Sequence, residues 1–194
     1  MRKLVQTAAA AVLLMEALPA NADVVPFTGH VTGLSTLIGA DATCAPLQYR
    51  SAIDPSSTVG TSSLGDFTLS TSTCLSLGGG ASFGTFTIDF GSDAFSGSFN
   101  GGSTPTDPPG ISATAWLFTI LDGTGRWADA SGTFDATGLA DARTRPTHVT
   151  IDFAGNVNAP ALPEPASWAL MIFGFGAIGF VARRRHPRVL EQIA

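Results

Sequence analysis

The chain has 194 residues, a formal net charge of −5 and only 13% charged residues, about half the share usual in soluble domains. A hydrophobic content of 44% excludes a disordered acidic chain, and the negative charge argues against a nucleic-acid partner. The length suits one domain of ordinary size.

The apolar residues gather at the two ends. Arg2 and Lys3 precede an Ala/Leu/Val-rich stretch, and Leu4–Ala22 holds 14 apolar residues in 19. Pro19 breaks the helical pattern, and Ala20-Asn21-Ala22 has the small-x-small form of a cleavage site. Residues 1–22 therefore read as a secretory signal peptide, with Ala20 and Ala22 marking a cut after Ala22. The apolar core, bounded by Gln6, Thr7 and Glu16, is too short for an N-terminal membrane span.

Residues 23–162 read as the exported body. They hold twelve Asp and four Arg, with no Glu and no Lys, a net charge of −8. Lack of the charged helix formers, with many Gly, Ser and Thr, argues against helices. Phe86, Ile88 and Phe90 alternate with polar residues over 85–90, and Phe95, Gly97 and Phe99 do so over 93–99. Residues 111–121 are apolar on both faces, which predicts a central strand. Val149, Ile151 and Phe153 alternate with Thr150 and Asp152. Period-two patterning with Gly-rich punctuation predicts an all-β body, an antiparallel β-sandwich or a small β-barrel. Asn100–Gly110, with its Gly-Gly pair and three prolines, reads as a long loop, and Gly78–Gly80 as a turn.

Within the body, Cys44 and Cys74 are the only cysteines. An even count in an oxidising compartment predicts one disulfide. Closing a loop of about 31 residues is worth roughly 3–4 kcal/mol in the chain-entropy description. Asp122–Phe134 is the most distinctive stretch: Asp-Gly starts a tight turn, Arg126 and Trp127 enter the next strand, and Gly132 permits a bulge. This segment resembles the Gly-Thr-Gly-Arg-Phe-x-x-Ala-x-Gly stretch of many exported β-proteins, including the small barrels of dirigent proteins and allene oxide cyclases. That resemblance implies a small-molecule-binding barrel or an isomerase. Its test is a closed barrel enclosing an apolar cavity with a polar group inside.

Reactive chemistry is otherwise sparse. His30 and His148 lie far apart in sequence, so no zinc site is expected, and the scattered Asp residues form no EF-hand loop. Neither a nucleophile elbow nor a phosphate-binding loop is found. No cofactor is expected and no catalytic residue is assigned. Asp89 or Asp152 could pair with Arg143 or Arg145 at the surface. Two short echoes, 87–90 with 150–153 and 96–99 with 131–134, have unequal spacings and define no repeat.

The C-terminal stretch Ala166–Ala182 has 13 apolar residues in 17 and ends at Arg183-Arg184-Arg185. It reads as a transmembrane helix whose arginines stop transfer and stay cytoplasmic, together with the tail 186–194. Gly174, Gly176 and Gly179 suit a membrane helix better than a water-soluble one. Immediately before it stands Pro163-Glu164-Pro165, whose prolines each disfavour helix in the preceding residue. The triplet, the short helix opening on Trp168-Ala169-Leu170 and the arginines, over 163–185, resemble the PEP-CTERM sorting signal of exported proteins of Gram-negative bacteria. The resemblance implies recognition by an exosortase, a membrane-embedded cysteine transpeptidase. It also implies removal of the tail, a cell-surface or extracellular destination, and a link to exopolysaccharide or biofilm, with extracellular polysaccharide as a partner. The competing expectation is a permanently membrane-anchored surface protein.

Overall fold

The computed structural model describes residues 23–159 and 165–184, which fall in two separate units. The first is built from nine antiparallel strands: β1 (Asp23–Ala40), β2 (Tyr49–Ile53), β3 (Val59–Ser62), β4 (Gly65–Leu75), β5 (Gly80–Asp89), β6 (Ala94–Pro105), β7 (Ile111–Thr124), β8 (Ser131–Asp141) and β9 (Thr147–Ala159). Each strand from β3 onward pairs with the next, and β9 returns to pair with β1 from Asp23↔Ala159 to Ser35↔Thr147. That last seam closes the sheet on itself, so of the two expected architectures the body is the barrel.

Nine strands fill eight positions in this wall. Both β2 and β3 lie between β1 and β4, β2 beside Ser35–Ala40 and β3 beside Gly29–Thr32. They are one wall strand interrupted by a short 3-10 turn at Pro55–Ser57, capped by the Asp54 carboxylate. An even number of positions returns the chain to the rim where it entered. We call this the lower rim; it carries the connections 63–64, 90–93 and 125–130. The upper rim carries 41–48, 76–79, 106–110 and 142–146.

The interior follows from the alternation. Phe27, Phe95, Phe118 and Phe134 are fully buried, as are Leu69, Ile88 and Val31. Phe118 meets Phe86 and Phe99 at 4.8 Å and Phe134 at 5.0 Å between ring centroids. Phe27, Phe134 and Phe153 form a second set of contacts within 6 Å. Interdigitated rings of this kind fill a small barrel and add edge-to-face attraction to apolar burial. Toward the upper rim the buried inward residues turn polar: Ser51, Thr71, Ser82 and Thr114, with the Trp116 Nε1–H donating to Ser82 Oγ at 2.8 Å.

Three local expectations are corrected. Asn100–Pro105 is not loop but the second half of β6, paired from Asn100↔Leu117 to Pro105↔Ser112. A side chain at Gly101 would meet the Ala115 carbonyl and the Trp116 ring. That glycine is there for close backbone approach, so only 106–110 connects the strands. Strand β7 is not buried on both faces: Leu117 and Leu121 face water, because a single-walled barrel gives every strand one wet side. The bulge in this region lies away from Gly132, at Leu121, which is unpaired between Gly97↔Ile120 and Ser96↔Asp122. A second bulge leaves Ile38 unpaired in β1.

The other unit contains helix α1 (Pro165–Arg184), 20 residues covering the expected 166–182. Its side chains from Met171 to Phe180 are all exposed, most of them large and apolar. Among the described residues, no helix is long and apolar enough to cross a membrane.

Candidate functional site

The lower rim is organised by the segment that resembled small exported barrels. Strand β7 continues to Thr124, and Gly125–Trp127 then form a 3-10 turn, so Arg126 and Trp127 precede the next strand instead of entering it. Gly125 has φ +61°, and any Cβ there would collide with the Asp93 carboxylate. This close approach lets Asp93 Oδ1 accept from the Arg126 backbone N–H at 3.0 Å while Oδ2 lies 3.3 Å from Arg126 Nε. The same guanidinium donates to the Leu64 carbonyl at 3.0 Å and covers the rings of Trp127 at 4.9 Å and Phe90 at 5.6 Å. One side chain thus ties all three lower connections together. Trp127 is buried beneath it against Phe95 and closes that end of the core.

The upper rim is held covalently. Cys44 and Cys74 form a disulfide with Cα atoms 5.3 Å apart, fixing connection 41–48 against β4. Arg50 reinforces it by donating to Asp41 Oδ2 at 2.6 Å, to Thr43 Oγ1 at 2.6 Å and to Ser72 Oγ at 2.5 Å. Hydrogen bonds from the Thr43 side chain, Arg50 and the Thr43 backbone hold the Asp41 carboxyl at about 2, below its ordinary 3.8. Asp141, bonded by the Arg143 side chain and backbone, is lowered to about 2 as well, and Arg143 is raised in return.

The expected surface ion pairs are replaced by others. Arg143 pairs with Asp141 two residues away, which the short 142–146 connection makes local. Asp152 pairs with His30 instead, directly across the β9–β1 seam at 2.7 Å, and Asp89 accepts from the Gly91 N–H at 2.6 Å. Sequence spacing gave no hint of the His30–Asp152 pair, 122 positions apart. Among the described residues, no three metal-binding side chains come together.

The barrel is closed, but its interior is packed by the Phe cluster. A shallow, open depression of about 520 Å³ lies on the outer wall near the lower rim, lined by residues such as Thr119, Thr133, Asn156 and Asn158. It offers neutral hydrogen-bonding groups and no titratable one.

The sorting residues fall partly outside this description. Pro163, Glu164 and Arg185 lie outside the described residues, as do Ala20 and Ala22. Pro165 is the first residue of α1, and Arg183 and Arg184 are its last two.

Taken together, the described parts define a closed, filled antiparallel β-barrel followed by an apolar helix. The chain carries a PEP-CTERM protein-sorting motif at residues 161–185, the triplet, helix and arginines already named. That motif supports exosortase-dependent export to the cell surface of a Gram-negative bacterium. No curated protein and no solved structure matches the chain, so the likeness of 122–134 to dirigent and allene oxide cyclase barrels gains no support.

Proposed function

We propose that this is an exported surface or extracellular-matrix protein whose body is a non-catalytic barrel, delivered through its PEP-CTERM signal. The carrying observation is the motif at 161–185, immediately after the last barrel strand. In this reading residues 1–22 direct export and are removed. Helix α1 and its arginines then hold the precursor at the membrane, and the exosortase takes the Pro163-Glu164-Pro165 segment. The exposed, mostly apolar side chains of Met171–Phe180 suit contact with lipid better than with water. The filled interior and the clamp role of Arg126 favour a structural body over an isomerase. The neutral Ser, Thr and Asn surface suits contact with exopolysaccharide or a biofilm matrix.

The test is the mass of the mature protein from strains with and without the exosortase. Loss of the residues after about Pro165, only when the enzyme is present, is the expected result. A chain ending at Ala194 in both strains would mean a permanent anchor and sink the sorting reading. The double change Pro163→Ala, Pro165→Ala blocks processing on this account, and its normal processing counts against it.

A further inference from the structure

The end of β9 and the sorting motif are very close in sequence. Ala159 is the last paired residue, bonded to Asp23 at the lower rim, and the motif begins at residue 161. From Ala159 to Pro163 there are four Cα–Cα steps, which reach at most about 14 Å when fully extended. An enzyme that grips the triplet therefore works within that distance of the lower rim. The opposite rim lies the length of β9 away, 13 residues, or roughly 40 Å along the strand and about 30 Å along the axis of a barrel with ordinary strand tilt.

The two rims differ in charge. At the lower rim Asp23, Asp66, Asp89, Asp122 and Asp129 surround the Arg126–Asp93 pair, leaving a strong negative excess. At the upper rim Asp41, Asp107 and Asp141 are balanced by Arg50, Arg143 and Arg145. A body with twelve Asp and four Arg thus has three of its four Arg at the end far from the tail.

We propose that the lower rim is the surface that meets the sorting enzyme, and that its carboxylates face basic groups around that enzyme's peptide-binding cleft. The proposal rests on the sorting reading above. It adds that the folded barrel, and not the tail alone, is recognised, because the short spacer forces the two together.

The experiment uses the full chain in cells that contain the exosortase, following tail loss with time by mass. Asp66→Lys with Asp129→Asn changes the rim charge by three units at two carboxylates that make no side-chain hydrogen bond or ion pair among the described residues. Three charges at about 10 Å in water, with and without physiological screening, correspond to a roughly two- to eightfold slower conversion. Asp107→Lys on the upper rim is expected to leave the rate unchanged. A 12-residue Gly/Ser insert between Ala159 and Pro160 lengthens the tether to a typical span of about 20 Å, beyond the screening length. With the insert in place, the rim variant is expected to be processed as fast as its parent. A rim variant as fast as wild type overturns the proposal. So does a slowing that persists with the insert, since that marks a folding defect. If the unaltered chain itself keeps its tail, the sorting reading fails, and the rim proposal falls with it for that separate reason.

Discussion

Removal of the Arg126 side chain tests whether this residue is a structural clamp. In Arg126→Ala three interactions are lost: the Nε contact to Asp93 at 3.3 Å, the hydrogen bond to the Leu64 carbonyl at 3.0 Å, and ring contacts at 4.9 and 5.6 Å. The side chain is 47% exposed, so the ion pair contributes well under 1 kcal/mol. A charged hydrogen bond adds about 1 kcal/mol and the ring contacts another 0.5–1 or so. Asp93 keeps its bond from the Arg126 backbone and is not left without a partner. The expected loss is about 2 kcal/mol, or roughly 6 °C in melting temperature for a domain of this size. Urea unfolding followed by tryptophan fluorescence reads it directly, since Trp127 is buried beneath the guanidinium. Arg126→Lys keeps the charge but not the planar fork, and so recovers less than half of the loss. Full recovery by lysine, or an alanine variant within 0.5 kcal/mol of wild type, would refute the clamp.

Further outcomes follow from the core and the upper rim. Replacing both Cys44 and Cys74 with serine lowers stability by up to about 3–4 kcal/mol, read as a lower urea midpoint; an unchanged midpoint would show that the Arg50 network alone holds the loop. Phe118→Ala, which empties a site in contact with four other rings, costs about 3–5 kcal/mol in the same assay. Because Asp41 and Asp141 titrate lower in the folded state than in the unfolded chain, their contribution is complete above about pH 4 and is lost as pH falls toward 2. Stability should therefore be flat in this respect from pH 7 to 5 and decline below 4. Asp41→Asn with Asp141→Asn should shrink that decline, and an identical acid profile in the variant would contradict the assignment.

The strands were legible wherever large apolar residues alternate with small polar ones. Phe86 and Ile88, Phe95 and Phe99, and Val149, Ile151 and Phe153 all point inward as their spacing requires. Where glycine replaces the inward residue the pattern fails, as at Gly101, because close packing of backbones leaves no apolar signature. Barrel against sandwich was beyond local reading, since the deciding contact joins β1 to β9 across almost the whole body. The same separation hid the His30–Asp152 pair and the role of Arg126, whose partners Leu64 and Asp93 lie 62 and 33 residues away. The sorting motif was readable because its parts are contiguous in the chain.

The closing seam also sets how the body bears load. A pull on the tail reaches the barrel at Ala159, the last residue of β9. That strand is paired over 13 positions with β1 and 11 with β8. The component of such a pull that lies along the strand must slide it past both neighbours at once. Strands loaded in shear share the force over all their hydrogen bonds, whereas strands unzipped from one end break them singly. While the barrel is tethered by its C-terminus, the load falls on a strand bonded along both of its edges, with no free edge to peel.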